Sequence, residues 1–495
     1  MKKKTIKSIF IGGGFLNQQY PWLLPIIDKY CRNKKIKKII FEYKPTAIFY
    51  NNKYFKKIFS NYEISTLQDE MPFVFKNKIL RYLYVLPKSI KFSLGISRID
   101  LLKKKDWKEQ QFFHAVWDTA LNLANNNDSF IQPNIKNKLL SSIKNFESKL
   151  VANILIKKNL SAVFLNHCVY FYRTLLSEFR EKKNIQTFIQ ANFTIYKQHS
   201  LRDNNENILN IFHLKKLQKF IPDKDINNYW INRINGKSVY SLANDASNIK
   251  VKSKKIVPKN ILMLHIFKDS PYSIIDKNRI FADYTDWLNY TLNIISKSNE
   301  TWGIKFHPSA HRWGENSKKI FDEYIFKNFN SKIPQNFLLI NNEFSNYEIF
   351  KKAKRLVTFW GTSHLESAAF GIKPIIIREV QLSAFDKKSV FKPSSLTIYK
   401  SKLTSKNFNE FKLNKKQIKN AKFLIFVREK VLNFINDIDQ HWIMRGDKQK
   451  YINKNLIKTI KNIYKYDTFL KDNGRLISTS FTHTLSKKYI KLFLN

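Results

Sequence analysis

The sequence predicts an α/β protein: two doubly wound, Rossmann-like domains facing across a cleft, with a helical C-terminal extension. Three observations predict it. Short apolar runs alternate with helix-spaced segments in two separate stretches, the mark of βαβ units. Between them Asn244–Lys259 (NDASNIKVKSKKIVPK) has little apolar pattern and reads as a linker. Only 11 glycines occur in 495 residues, against a usual share of about 7%, and several stand where a strand meets a helix. The resulting division is an N-terminal domain over 1–245, a linker over 246–259, a second domain over 260–400 and a Lys-rich helical extension over 401–495.

The elements follow in order. Ser8–Ile11 is an apolar run ending in Gly12-Gly13-Gly14, and Pro21–Cys31 is helix-spaced. Lys37–Phe41 predicts a second strand. The stretch Asp106–Lys158 predicts a helical insertion whose Trp107, Phe112, Phe113, Val116, Trp117 and Leu121 recur at core spacing. Ser161–Leu165, Val169–Glu181 and Ile185–Ile189 read as strand, helix, strand. After the linker come strands at Asn260–Phe267, Thr301–Phe306, Phe337–Ile340, Arg355–Phe359 and Lys373–Ile377. Helices at Asp283–Ser296, Asn316–Phe326, Phe344–Ala353 and His364–Phe370 alternate with them, as a doubly wound sheet requires.

Composition narrows the function classes. Lys+Arg number 88 and Asp+Glu 38, a formal net charge of +50. With 43% hydrophobic and 15% aromatic residues, the chain can bury a large core, which excludes wholesale disorder. Its 2 cysteines, Cys31 and Cys168, exclude a disulfide scaffold and fit a reducing compartment. No apolar run reaches the roughly 18 residues of a spanning helix. The start MKKKTIKSIFIGGG is too short in its apolar part for a signal peptide and reads as a first strand, so a cytoplasmic location is expected. The lysines are spread along the chain. No nucleic-acid motif or basic, aromatic-studded stripe accompanies them, so no nucleic-acid partner is expected.

Polar motifs fall at strand ends, where open parallel sheets bind ligands. Lys305-Phe306-His307-Pro308-Ser309 closes one strand; Pro308 keeps His307 out of helical geometry at the tip. His307 can donate to a phosphate or sugar oxygen, or simply tie down the loop. Gly361-Thr362-Ser363-His364-Leu365-Glu366 opens a helix; Gly361 permits a tight turn, and Ser363 with Glu366 has capping-box spacing. Thr362 and Ser363 could instead touch phosphate, and Glu366 a ribose. Gly12, Gly13 and Gly14 allow close backbone approach or form a plain turn; they do not make a dinucleotide fingerprint. His265 and Asp269 flank another strand exit, and Asn166-His167 a strand exit of the first half. No HExxH, Walker A, G-x-S-x-G or CxxC motif is present, and no metal site is predicted.

The segments Ile304-Lys305-Phe306-His307-Pro308 and Val357–Pro374, with Gly361, Thr362, Ser363, Glu366 and the Gly371-Ile372-Lys373-Pro374 turn, resemble the C-terminal half of GT-B glycosyltransferases. The similarity is greatest to bacterial capsule and surface-polysaccharide biosynthesis proteins, including Kdo-transferase-like ones, and covers roughly 258–380. The resemblance implies a metal-independent transferase that takes a nucleotide-sugar, CMP- or UDP-linked, with no further cofactor. Lys305, His307 and Ser309, with Gly361, Thr362, Ser363, Glu366, His265 and Asp269, would surround the donor. Gly12, Gly13, Gly14 and His167 would line the acceptor side. A base from the first half is implied, with Glu42, Asp69, Glu70 and His167 as candidates. A glycan or lipid-linked acceptor is the implied partner, and the basic surface suits an anionic inner membrane leaflet. Thr484–Asn495 mixes Lys with Leu, Ile, Tyr and Phe as an interfacial helix does. Alternatives on the same fold are a polyol-phosphate transferase, a nucleotide-sugar epimerase and a catalytically dead, lectin-like domain.

Overall fold

The parallel strands form where β-branched and aromatic residues run without a polar break, and nearly every position in them is buried. That is the composition of a sheet covered on both faces. A computed structural model describes residues 6–12, 24–44, 53–103, 107–124, 128–129, 131–165, 169–182, 185–191, 194–197, 211–238, 256–267, 279–310, 314–340, 344–378, 380–431, 468–472 and 475–479.

The first sheet contains β1 (Ser8–Gly12), β2 (Lys38–Phe41), β3 (Glu63–Thr66), β4 (Leu160–Leu165), β5 (Gln186–Ala191) and β6 (Thr194–Lys197). The second contains β7 (Asn260–Met263), β8 (Trp302–Lys305), β9 (Phe337–Ile340), β10 (Arg355–Thr358) and β11 (Ile375–Ile376). The parallel part of the first runs β3-β2-β1-β4-β5, and the second runs β9-β8-β7-β10-β11. Counted within each half, both orders are 3-2-1-4-5, the Rossmann order. The order reverses between β1 and β4 and again between β7 and β10, so each half has one switch point. Two Rossmann-like domains are therefore present, as the alternation predicts.

The helices are α1 (Leu24–Asn33), α2 (Lys53–Phe59), α3 (Lys78–Gly95), α4 (Trp107–Asn122), α5 (Ile135–Ile156), α6 (Phe171–Arg180), α7 (Ile211–Phe220) and α8 (Asp223–Ile234) in the first half. In the second are α9 (Tyr284–Ile295), α10 (Ser317–Phe329), α11 (Asn346–Lys352), α12 (Ser363–Ala369), α13 (Leu396–Thr404) and α14 (Lys415–Phe426). The insertion between β3 and β4 is helical, as expected, and α4 joins the two halves. Its Phe112, Val116 and Trp117 share one apolar core with Leu264, Tyr284 and Trp287. Fully buried Asp283 organises this joint. It caps α9 by accepting from the Asp286 N–H (2.7 Å), and it also accepts from the Trp117 indole (2.8 Å) and Arg98 Nε (3.1 Å). Asp283→Ala removes the cap and strands both donors, at a cost on the order of 3 kcal/mol. A urea midpoint equal to that of the parent chain would contradict this joint.

Three features depart from the sequence reading. The strands β12 (Thr468–Asp472) and β13 (Arg475–Thr479) form an antiparallel pair that extends the first sheet through β6, in a region expected to be helical. Two short runs with β-branched and aromatic residues, Thr-Phe-Leu and Leu-Ile-Ser-Thr, with Asn473-Gly474 between, are a hairpin signal that outweighs Lys content. The expected boundary at 400 falls inside α13, which packs on α9 through Tyr399; its hydroxyl lies 2.7 Å from both Trp287 Nε1 and Thr291 Oγ1. The helix after β10 has no Ser363–Glu366 capping box. Thr362 is its N-cap, in helical conformation and without a side-chain cap bond, whereas capping needs an extended residue there. Gly13, Gly14, His167, Asp269, most of the linker and Thr484–Asn495 lie outside the described residues. No helix among the described residues is long and apolar enough to cross a membrane.

Candidate functional site at the switch point of the second sheet

Strands β7, β8 and β10 are neighbours and run in one direction, so the residues just past their carboxyl ends come together. Those residues are His265, His307 and Trp360-Gly361. The His265 ring lies 5.7 Å from the His307 ring and 5.6 Å from Trp360, centroid to centroid. Gly361 turns with φ of +98°, and a Cβ there would meet the His265 ring at 3.2 Å. Glycine is thus demanded twice, by the backbone and by the neighbouring ring. His265 and Trp360 straddle the β7/β10 reversal, the position where doubly wound sheets take ligands.

The hydrogen bonds fix what the two imidazoles offer. The Ser309 N–H donates to His307 Nδ1 (3.2 Å), so the neutral ring carries its proton on Nε2. The His265 Nδ1 faces the Ile266 carbonyl at 3.4 Å, an arrangement in which Nδ1 donates and Nε2 is the acceptor. Both rings are neutral at pH 7. Burial, with His265 and Lys305 nearby, pushes the His307 pKa down to about 3. Burial, opposed by the Ile266 bond and reinforced by Arg378, pushes His265 down to about 4. Folding therefore excludes a proton that the unfolded chain takes up below its ordinary histidine pKa of about 6.5. The stability held by these rings is full above that pH and is lost as pH falls through 4 toward 3.

The turn beside them is braced from within. Thr358 Oγ1 donates to the Trp360 carbonyl (3.0 Å), and Ser363 Oγ donates to Thr358 Oγ1 (3.4 Å). His364 Nδ1 bonds the Gly361 carbonyl. Thr362 and Ser363 are half-buried at the site. Lys305 is fully buried, and its ammonium donates to the Phe344 carbonyl (3.1 Å). The cation that faces the rings is Arg378, just past β11, whose guanidinium carbon lies 4.4 Å from the Trp360 ring centroid in a cation–π contact. Sequence reasoning missed it, because one Arg after a strand has no spacing signature. Arg378 also belongs to a basic cluster between the halves. With Arg173 and Arg279 it holds the fully buried His114 well below the usual histidine range, after burial itself. Arg279 Nη1 lies 3.2 Å from His114 Nε2.

Glu366 sits in a buried network. Its Oε1 accepts from Arg233 Nη2 (2.9 Å), and Arg233 Nε also donates to Glu429 (3.0 Å). Glu366 Oε2 has no hydrogen-bond partner among the described residues. Of the four candidate bases, Asp69 caps the helix after β3 by accepting from the Thr66 N–H (2.8 Å), and Glu70 pairs with Lys38 (2.8 Å) and Lys158 (3.5 Å). Glu42, past the end of β2, lines a cavity of about 780 Å³ and accepts from the Tyr172 hydroxyl (3.3 Å). Gly12 ends β1 beside it; a Cβ there would meet Glu42 at 3.2 Å and Leu165 at 2.8 Å. Among the described residues no group of three or more His, Cys, Asp or Glu is placed to hold a metal ion.

No protein-family model matches the chain, and no curated protein matches it. Among solved structures, the chain is similar to Anabaena HepE in complex with UDP-glucose, at 8% identity over 92% of this chain and 100% of that one, with a TM-score of 0.27. It is similar to the UDP-GlcNAc 2-epimerase of Methanocaldococcus jannaschii in complex with UDP-GlcNAc and UDP, at 14% identity over 83% and 97%, TM-score 0.23. It is also similar to the glycosyltransferase SnogD of Streptomyces nogalater, at 6% identity over 86% and 94%, TM-score 0.21.

Proposed function

We propose that the protein is a glycosyltransferase that moves a sugar from a nucleotide-sugar to a surface-glycan acceptor of capsule, lipopolysaccharide or O-antigen type. The observation that carries this reading is the grouping of His265, His307, Trp360, Gly361 and Arg378 at the β7/β10 switch point. The leaving group of a nucleotide-sugar is an anionic phosphate in a half-buried place. Arg378 and the basic cluster behind it supply fixed positive charge, and neutral His307 supplies an oriented Nε2–H donor. Gly361 keeps that space open. Glu366 Oε2 is the acceptor for a ribose hydroxyl, while Oε1 holds it in place through Arg233.

In the transfer, the acceptor hydroxyl oxygen bonds to the anomeric carbon as the bond from that carbon to the phosphate oxygen breaks. The hydroxyl proton passes to a base, for which we take Glu42; of the two carboxylates lining its cavity, the other, Glu147, is paired with Arg81 (2.8 Å). Charge developing on the phosphate is met by His307 and Arg378. The reaction needs no redox group.

The test is nucleotide release from a panel of CMP-, UDP- and GDP-sugars, with and without a glycan acceptor. One nucleotide class is expected to be turned over, faster with acceptor. No turnover and no binding with any donor would overturn the reading. Inversion of the sugar with release of nucleotide in the absence of acceptor would replace it by an epimerase.

A further inference from the structure

Helix α3 is inverted. Its inward face presents Arg81, Val85, Ser89 and Ser93, two of them serines that bond back to the helix carbonyls of Val85 and Ile90. Its outward face presents Ile79, Leu83, Ile90 and Leu94, exposed by 66, 55, 43 and 70%. At about 100° per residue these four fall within roughly 60° of one another around the axis. The stripe continues at both ends: Phe73 is 90% and Val74 60% exposed before the helix, and Ile99 is 64% exposed after it. A contiguous apolar face of this kind marks an interaction surface and not scattered surface residues.

We propose that this face docks the protein on an anionic lipid surface, with α3 lying in the plane of the headgroups. Charge decides the occupant. Exposed Lys76, Lys78, Lys88, Lys91 and Lys103 stand on and beside the same segment, and the whole chain carries +50. A second copy would bring like lysine rows together, whereas an anionic bilayer satisfies the lysines and the apolar stripe at once. The 18-residue helix binds along the surface and does not span. Phe73 and Leu80 belong both to this exposed face and to the wall of the Glu42 cavity. Docking therefore brings that cavity to the lipid surface, where, on the sugar-transfer reading, a lipid-linked acceptor would meet it.

The test is binding, not turnover, so its failure is separable from failure of the transferase reading. The full chain is sedimented with phosphatidylglycerol–phosphatidylcholine vesicles and with phosphatidylcholine alone, at low and high salt. The parent is expected to pellet with the anionic vesicles and to keep part of that binding at high salt. The variant Leu83→Gln/Ile90→Gln/Leu94→Gln keeps its charge and a good helix former at each site, and is expected to bind about a hundredfold weaker or less, with no binding at high salt. Hydrogen exchange on the parent gives a second reading: amides of 73–102 are expected to gain protection when anionic vesicles are added. Equal binding by parent and variant, no protection over 73–102, or a variant that changes only the oligomeric state each overturns the proposal. The last outcome would assign the face to a second copy.

Discussion

Arg233→Met is expected to destabilise the fold by about 3–5 kcal/mol, the cost of breaking a buried ion pair from one side. Arg233 is wholly buried and holds Glu366 and Glu429 together, with the hydroxyl of Tyr347 on its remaining nitrogen. Tyr229 and Ser238 complete the shell around Glu429. The network ties α8, from the half before the linker, to α12 and to the segment after α14. Without the guanidinium, two buried carboxylates lose the cation they share. The triple variant Arg233→Met/Glu366→Gln/Glu429→Gln removes the stranded charges and is expected to recover most of the loss. Urea unfolding reads both. An unchanged midpoint for the single variant, or a triple variant no better than it, would contradict the network as described.

His307→Ala is expected to lower the rate of nucleotide release by about 10²–10³-fold, the usual effect of removing one preorganised donor to developing negative charge. The thermal midpoint should change less than for Arg233→Met, since the partly buried ring sits at a strand tip and makes no buried ion pair. His307→Gln, which keeps a donor at similar reach, should recover part of the rate. The pH dependence follows from the depressed pKa values. In the free protein both rings stay neutral down to about 4. A bound phosphate favours the charged imidazolium and raises both pKa values, so binding at mildly acidic pH takes up protons. Calorimetry in two buffers of different ionisation enthalpy measures that uptake, and His307→Ala should reduce it. A rate within a factor of a few of the parent's would remove His307 from the site's chemistry.

Much of the second domain is legible in the sequence. Short apolar strands between polar breaks give β7 through β11, and Pro308 and Gly361 mark the tips where chain direction changes. The position of Gly361 opposite His265 is not legible, since it depends on β7 and β10 being neighbours, which alternation alone does not state. Arg378 is hidden for the same reason. Lys305 shows the reverse case: its place before His307 suggests a phosphate contact, but alternation along β8 turns it into the interior, where the Phe344 carbonyl takes it. Ser363 and Glu366 have the spacing of a capping box, yet the N-cap is Thr362, one residue earlier, and Glu366 turns to Arg233 instead. The face of α3 illustrates a general limit. Periodicity finds an apolar stripe but does not say whether that stripe faces the core; here the serines do.

The measurement closest to the central claim is a calorimetric titration of CMP, UDP and GDP into the full chain and into Gly361→Val. The substitution puts a β-branched side chain where φ is +98° and where even a Cβ touches His265, so it crowds the His265 ring at the switch point. One nucleotide class is expected to bind the parent, and Gly361→Val is expected to lose at least about tenfold in affinity while retaining its fold. Equal affinity in the two proteins would place the nucleotide elsewhere, and no binding of any nucleotide to the parent would contradict a nucleotide-sugar site at the β7/β10 switch point.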